Sequence, residues 1–148
     1  MASSEQLERI EARNAIADLI HRYAQVVRYD SPEQTADLYI ADGVFEVRQG
    51  YPDKPDFTLQ SRVEGREAIR AFLLPGKGKP HPIPLIHNLL IEVDGNSAVS
   101  TCVMEARMSV GEGGFWGEYV DTCQRVDGRW LFTSRIYTMF IAQAGDPA

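Results

Sequence analysis

Many short signatures of enzyme chemistry are missing from this chain. It has no Gly-x-Ser-x-Gly elbow, no His-Glu-x-x-His and no paired Cys-x-x-Cys, which argues against elbow-type serine hydrolases, zincin proteases and zinc ribbons. Its 2 cysteines and 3 histidines fall at no metal-ligand spacing, so no metal is expected. Cys102 and Cys123 lie in strand-like segments and read as buried thiols. Basic residues are few, 15 Lys and Arg against 21 Asp and Glu, for a net charge of −6. Such a balance disfavours nucleic acid as a partner, because phosphate binding needs a basic surface. No apolar run approaches membrane-spanning length. Residues 1–8 lack the basic and apolar regions of a secretory signal, so no membrane role and a cytoplasmic location are expected. The Gly-Lys-Gly-Lys-Pro stretch at 76–80 precedes no helix and is no phosphate loop. There is no internal repeat and no linker long enough to divide the chain, so one domain spanning 1–148 is expected.

What is present is strong patterning. Hydrophobic residues make up 44% of the chain, enough to bury a core. Over residues 4–28, Leu7, Ile10, Ile16, Leu19, Ile20, Tyr23, Val26 and Val27 recur at helical spacing as one apolar stripe. Ser3 and Gln6 offer a capping box at its start. Ser31, Pro32 and Gln34 place an N-cap, a first-turn proline and the third residue of a second capping box. They predict a helix over 32–40, with Leu38 and Tyr39 packing inward. Strands are predicted at 44–48 and 57–63. A third helix starts at Gly65, with Ala68, Ile69, Phe72 and Leu73 on one side, and is stopped by Pro75-Gly76.

Residues 75–84 hold four prolines and two glycines, which suits an irregular rim better than a helix or strand. Beyond them the pattern is strand throughout, at 85–93, 97–110, 115–126 and 129–142, with Asp94-Gly95 and Asp127-Gly128 as hairpin turns. Helices ahead of a long meander imply an α+β class: a cone-shaped α+β barrel, with three helices packed on a curved, mainly antiparallel sheet. The concave face of such a sheet leaves a cavity beside the first helix. The last three strands carry apolar residues on both faces. Val99 and Val103 oppose Cys102 and Met104, and Trp130 and Phe132 oppose Leu131 and Met139. One face covers the helices, and burial of the other predicts a homodimer through the sheet.

Several residues stand out as candidates for chemistry. Asp30 sits between the first two helices, where it either faces the cavity or stabilises the N-terminus of the second helix. His87 alternates with Leu85, Leu89, Ile91 and Val93 on a mostly apolar side. It is either a satisfied, partly buried histidine or a general base. Tyr23 lies on the apolar stripe, as core or as a hydrogen-bond donor. Tyr29 either reaches a substrate oxygen or covers the turn. Arg135 either clamps an anionic group or pairs with Glu118. Tyr39, Phe45, Phe72, Met104 and Phe115 are expected to shape the pocket wall.

The order of these segments resembles the SnoaL-like branch of the nuclear transport factor 2-like superfamily over nearly the whole chain. The pieces that carry the resemblance are Ile16-Ala17-Asp18-Leu19-Ile20-His21-Arg22-Tyr23-Ala24, Leu38-Tyr39-Ile40-Ala41-Asp42-Gly43-Val44-Phe45 and Gly65-Arg66-Glu67-Ala68-Ile69. With them go His87 followed by Ile91-Glu92-Val93-Asp94-Gly95, and Gly117-Glu118-Tyr119-Val120-Asp121 running to Arg125-Val126-Asp127-Gly128-Arg129-Trp130. Scytalone dehydratase and a dehydrochlorinase of this superfamily use a histidine–aspartate pair, and the resemblance carries the histidine to His87. Many relatives keep the aspartate five positions after the helical tyrosine. Here that position is Arg28, and Tyr29-Asp30-Ser31 instead matches a triplet of scytalone dehydratase. The resemblance therefore implies Asp30 as the orienting carboxylate and Tyr29 as a hydroxyl. The second histidine of that dehydratase has no counterpart in residues 102–107. Arg135 matches an arginine that assists the dehydrochlorinase's leaving group.

Three functions fit this resemblance. The first is a cofactor-independent lyase or isomerase, dehydratase-like, acting on a small hydrophobic carbonyl compound, polycyclic or aromatic. His87 would take the proton, Asp30 would orient it and Tyr29 or Tyr23 would bond the developing enolate. The second is a non-catalytic protein binding a small hydrophobic molecule. The third is an accessory subunit of a ring-hydroxylating dioxygenase.

Overall fold

A computed structural model describes residues 3–141. The first helix, α1 (Ser4–Arg28), begins where Ser3 and Gln6 cap each other: the Gln6 N–H donates to Ser3 Oγ at 3.1 Å and the Ser3 N–H to Gln6 Oε1 at 2.8 Å. Its stripe becomes buried only from Ala12 onward, through Ile16, Leu19, Ile20 and Tyr23, while Leu7 and Ile10 remain exposed. At its other end the Ser31 N–H bonds the Val26 carbonyl and the Asp30 N–H bonds the Val27 carbonyl. That is a Schellman closure, whose penultimate position needs a left-handed backbone and usually holds glycine. Asp30 fills it, at φ 57°.

The helix predicted over 32–40 is shorter. Helix α2 (Pro32–Ala36) starts at the proline as expected, but Ser31 makes no side-chain cap bond. Residues 39–40 already belong to strand β1 (Tyr39–Gly50), because the Leu38 carbonyl accepts from Phe132 N–H at 2.9 Å and draws this segment into the sheet. Strand β2 (Phe57–Glu64), helix α3 (Arg66–Leu73) and a short 3-10 turn (Leu74–Gly76) follow. The meander is β3 (Pro82–Asp94), β4 (Ser97–Met108), β5 (Gly114–Val126) and β6 (Arg129–Phe140). Residue 142, the predicted end of the last strand, lies outside the described residues.

The six strands form one sheet in the order β2-β1-β6-β5-β4-β3, antiparallel except where β1 runs parallel to β6. Three helices pack on this curved, unclosed sheet. Its concave face carries Ser100, Cys102, Met104 and Ala106 of β4, Tyr119, Asp121 and Cys123 of β5, and Arg135 and Tyr137 of β6, all buried. Gly117 sits in that row because nothing larger fits: a Cβ there would lie 2.0 Å from the Thr138 carbonyl oxygen.

Two bulges reset the alternation of side chains. In β3, His87 pairs with Val103 but Leu90 pairs with Thr101, and Asn88 takes a left-handed φ of 53°. One extra residue flips every side chain beyond it to the other face. In β6, Thr133 is the extra residue, so Arg135 comes opposite Asp121, and Glu118 comes opposite Thr138.

Candidate active-site pocket

Between the end of α1 and the concave face lies a cavity of about 340 Å³. Apolar side chains form its walls: Val27, Phe45, Val47, Leu73, Met104, Phe115 and Met139. Tyr23, Tyr119 and Tyr137 supply ring faces and hydroxyls. Asp30, Ser31 and Pro32 form one side of its mouth, and Gly76, Pro80, His81, Pro82 and Pro84 the other.

The floor rests on a buried ion pair. Arg135 Nε and Nη2 donate to the two carboxylate oxygens of Asp121 at 2.8 and 3.1 Å, and both side chains are 0% exposed. The guanidinium lies 3.6 Å from the ring centre of Tyr119, 4.4 Å from Tyr23 and 4.5 Å from Phe132. It is thus caged by aromatic faces, an arrangement that attracts a cation. Among the described residues its buried Nη1 has no hydrogen-bond partner. Burial pushes the Asp121 carboxyl up, against the pull of Arg135 and Ser100. On Arg135, burial works against the charge, yet the attraction of Asp121 holds its pKa above the ordinary value.

The phenols of the floor stay protonated at neutral pH. Burial raises Tyr23, with Arg135 opposing, and lifts Tyr39 and Tyr119 well above their ordinary value. Tyr23 and Tyr39 share a hydrogen bond at 2.9 Å, and Tyr137 Oη donates to the Met104 carbonyl at 3.1 Å. Tyr119 differs. It is 7% exposed and lines the cavity, yet among the described residues its hydroxyl makes no hydrogen bond. A hydroxyl left free beside a cavity is a donor ready for a ligand. The two thiols are poor nucleophiles: burial pushes Cys102 up to about 11 and Cys123 up to about 12.

His87 is not in this pocket. It lies before the β3 bulge, so it shares the convex face with Leu85 and Leu90, while Leu89, Ile91 and Val93 beyond the bulge turn inward. Its Nε2 is 2.9 Å from Glu105 Oε1, and both side chains are exposed. The inward positions on this part of β3 belong to Ile86, opposite Met104, and to Pro84, which lines the cavity. Asp30 does line the mouth, but its Oδ2 accepts from the Gly78 N–H at 2.7 Å. No hydrogen bond joins Asp30 to His87.

Over residues 8–136 the sequence matches the SnoaL-like domain family. The chain belongs to that family. No curated protein matches it. Among solved structures it is similar to three from Novosphingobium aromaticivorans. One is the β subunit of a candidate aromatic-ring-hydroxylating dioxygenase (18% identity, 91% of this chain and 93% of that one, TM-score 0.77). Another is a candidate scytalone dehydratase (22% identity, 95% and 91%, TM-score 0.70). The third is a nuclear transport factor 2-like protein with a cystatin-like fold (20% identity, 95% and 90%, TM-score 0.74). At these identities the likeness is one of fold.

Within this SnoaL-like domain the residues singled out from the sequence divide cleanly. Tyr23, Asp30, Phe45, Met104 and Phe115 line the pocket. Tyr29 does not: it is 68% exposed, with the Arg28 guanidinium 5.1 Å from its ring centre. Phe72 packs on Phe45 with ring centres 6.3 Å apart and lies outside the lining. Tyr39 and Arg135 are fully buried behind the floor. Arg135 pairs with Asp121 rather than Glu118, since the Thr133 bulge shifts the register by one. Sequence reasoning passed over His81, Tyr119 and Asp121. Alternation from Gly117 to Tyr119 to Asp121 on one face could have found the last two, whereas His81 had no signal beyond its proline-rich surroundings.

Removing one member of the caged pair leaves its partner's charge buried and unneutralised, at a cost of about 3–5 kcal/mol. Urea unfolding of Asp121→Asn should show a loss of that order. The double variant Asp121→Leu/Arg135→Met should lose less than the sum of Asp121→Leu and Arg135→Met measured singly. Additive losses would show that the two groups do not depend on each other.

Proposed function

We propose that the pocket binds a compact, mostly apolar molecule carrying a carbonyl oxygen, and that the domain acts on it as a cofactor-independent lyase or isomerase. The observation that carries this reading is the free, protonated Tyr119 hydroxyl at the floor of an otherwise apolar cavity. A donor fixed in a water-poor site stabilises the charge that develops on a carbonyl oxygen when a neighbouring carbon loses a proton. The proton acceptor in this reading is Asp30. Its Oδ2 is held by Gly78, and among the described residues its Oδ1 makes no hydrogen bond. His87, on the convex face, takes no part. Ring faces of Tyr23, Phe115 and Tyr137 suit an aromatic or polycyclic ligand. Two buried thiols, neither in a disulfide, fit a reducing cytoplasm.

Exchange of the α-hydrogens of 2-tetralone in D2O, followed by NMR, tests the assignment. Tyr119→Phe should slow catalysed exchange by about 10²-fold, the usual effect of losing one such donor. Asp30→Asn should remove it, and His87→Ala should leave it unchanged. A strong loss in His87→Ala with Tyr119→Phe unaffected would overturn the reading.

We further propose a homodimer through the convex face. Across it, Leu90, Thr101, Val120 and Ile136 stand in register on four adjacent strands. Leu90 is 69% exposed, and Val99, Trp116 and Val120 are also exposed. Trp116 stacks edge-on against Phe140 at 4.9 Å. An open apolar row of this kind suits a second sheet of the same shape. Light scattering should give twice the chain mass for the native protein and a monomer for Val120→Arg. A monomer in both would count against the dimer.

A further inference from the structure

The far side of the pocket mouth is a strap, residues 76–81, which crosses from the 3-10 turn after α3 to the start of β3. Gly76, Pro80 and His81 of the strap face the cavity. On the β4 side it is sewn down by a reciprocal pair: the Ser109 N–H donates to the His81 carbonyl at 2.9 Å and the His81 N–H to Ser109 Oγ at 3.1 Å. On the side of the helix corner it crosses the mouth and is held by side chains. The Gly78 N–H donates to Asp30 Oδ2 at 2.7 Å, and His81 Nε2 donates to the Arg28 carbonyl at 3.0 Å. An exposed ion pair, Lys77 to Glu33 at 2.9 Å, adds a weaker tie.

We propose that this strap is a gate over the pocket, hinged at Ser109 and latched to the helix corner by Asp30 and His81, so that ligand passes when the latch opens. The proposal rests on the pocket being the ligand site. Features on both sides of the latch fit a part that opens. Asp30 holds a left-handed backbone at φ 57°, a conformation costly for a residue with a side chain. Its carboxylate spans 48 residues of sequence to reach the strap. Gly78 meets it at φ 81°, with open space where a Cβ would be.

The latch is also sensitive to protons. Both ring nitrogens of His81 face carbonyl oxygens, Nδ1 toward Lys79 at 3.0 Å and Nε2 toward Arg28 at 3.0 Å. Only the imidazolium carries a hydrogen on each nitrogen; the neutral ring must give up one bond. The bond to the Lys79 carbonyl, then that to Arg28 and the charge of Asp30, raise the pKa of His81, with burial opposing. Asp30 is thus the charged side chain acting on the ring from the helix corner. From the β4 side, among the described residues, comes the uncharged Ser109 hydroxyl, 3.5 Å from Nδ1. Lys77, four residues earlier on the strap, is occupied with Glu33 of α2. A raised folded pKa means that the latch is complete below the ordinary histidine value of about 6.5 and loses a bond as pH rises through the raised value.

The test uses two variants and two readouts. Asp30→Gly cuts the carboxylate latch yet suits the backbone of the corner, so the fold is retained. His81→Phe keeps a ring and removes both carbonyl bonds. In the ligand-free protein, amide hydrogen exchange at Gly78 should quicken by about tenfold in Asp30→Gly, while the Phe132 amide in the sheet is unchanged. Stopped-flow mixing with 2-naphthol should give association and dissociation rates that rise together in both variants. In the native protein both rates should rise between pH 5.5 and 8, and this dependence should vanish in His81→Phe. Unaltered Gly78 exchange in Asp30→Gly, or a pH dependence that survives in His81→Phe, would overturn the gate. If 2-naphthol fails to bind the native protein, the ligand-site reading falls and the gate with it. Quickened Gly78 exchange would then record a loose strap without a pocket to serve.

Discussion

One charge buried at the centre of the sheet sets the terms for the rest of this molecule. Arg135 is wholly enclosed, and it is tolerated there because Asp121 neutralises it in bidentate contact and three aromatic rings surround it. The cage works in both directions. The rings make the burial of the cation bearable, and the cation fixes where the rings of Tyr23 and Tyr119 lie. Those two rings are the floor of the pocket. A floor positioned from behind by an ion pair needs no help from the ligand to hold its shape, which is what a preorganised donor requires.

Much of this architecture was legible from residue pattern alone. The helical stripe of α1, its Ser3–Gln6 cap, the hairpin turns at Asp94-Gly95 and Asp127-Gly128 and the α+β order all follow from local chemistry. The site was less legible, for a specific reason. Alternation along a strand assigns faces only while the register is unbroken, and β3 and β6 each carry an extra residue. Asn88, in a left-handed conformation, turns His87 to the convex face although Leu89, Ile91 and Val93 point inward. Thr133 moves Arg135 opposite Asp121, where simple counting from the turn placed it near Glu118. Asp30 lies in the turn between α1 and α2, but Ser31, read as a side-chain cap, makes no such bond. What holds the corner is a Schellman closure with aspartate in the position usually given to glycine.

Proteins similar in fold to this SnoaL-like domain are named for different roles, a dioxygenase β subunit and a dehydratase among them. What they share with it is the fold, and a fold alone does not set a role. In this chain the polar groups of the cavity include the Tyr119 hydroxyl at the floor and the Asp30 carboxylate and His81 ring at the mouth. The bulge that removes His87 from the cavity leaves Ile86 and Pro84 as the inward residues there, so the inner wall of this part of β3 is apolar. The proposed chemistry falls at the two ends of the pocket, with mostly apolar side chains between them.

The most direct test of that arrangement is a crystal structure of the protein soaked with 2-tetralone. The ring is expected between Tyr23, Phe115 and Tyr137, with the carbonyl oxygen within hydrogen-bond distance of Tyr119 Oη, about 2.6–3.2 Å. A ketone seated on the convex face beside His87, or lying in the cavity with its oxygen turned away from Tyr119, would contradict it.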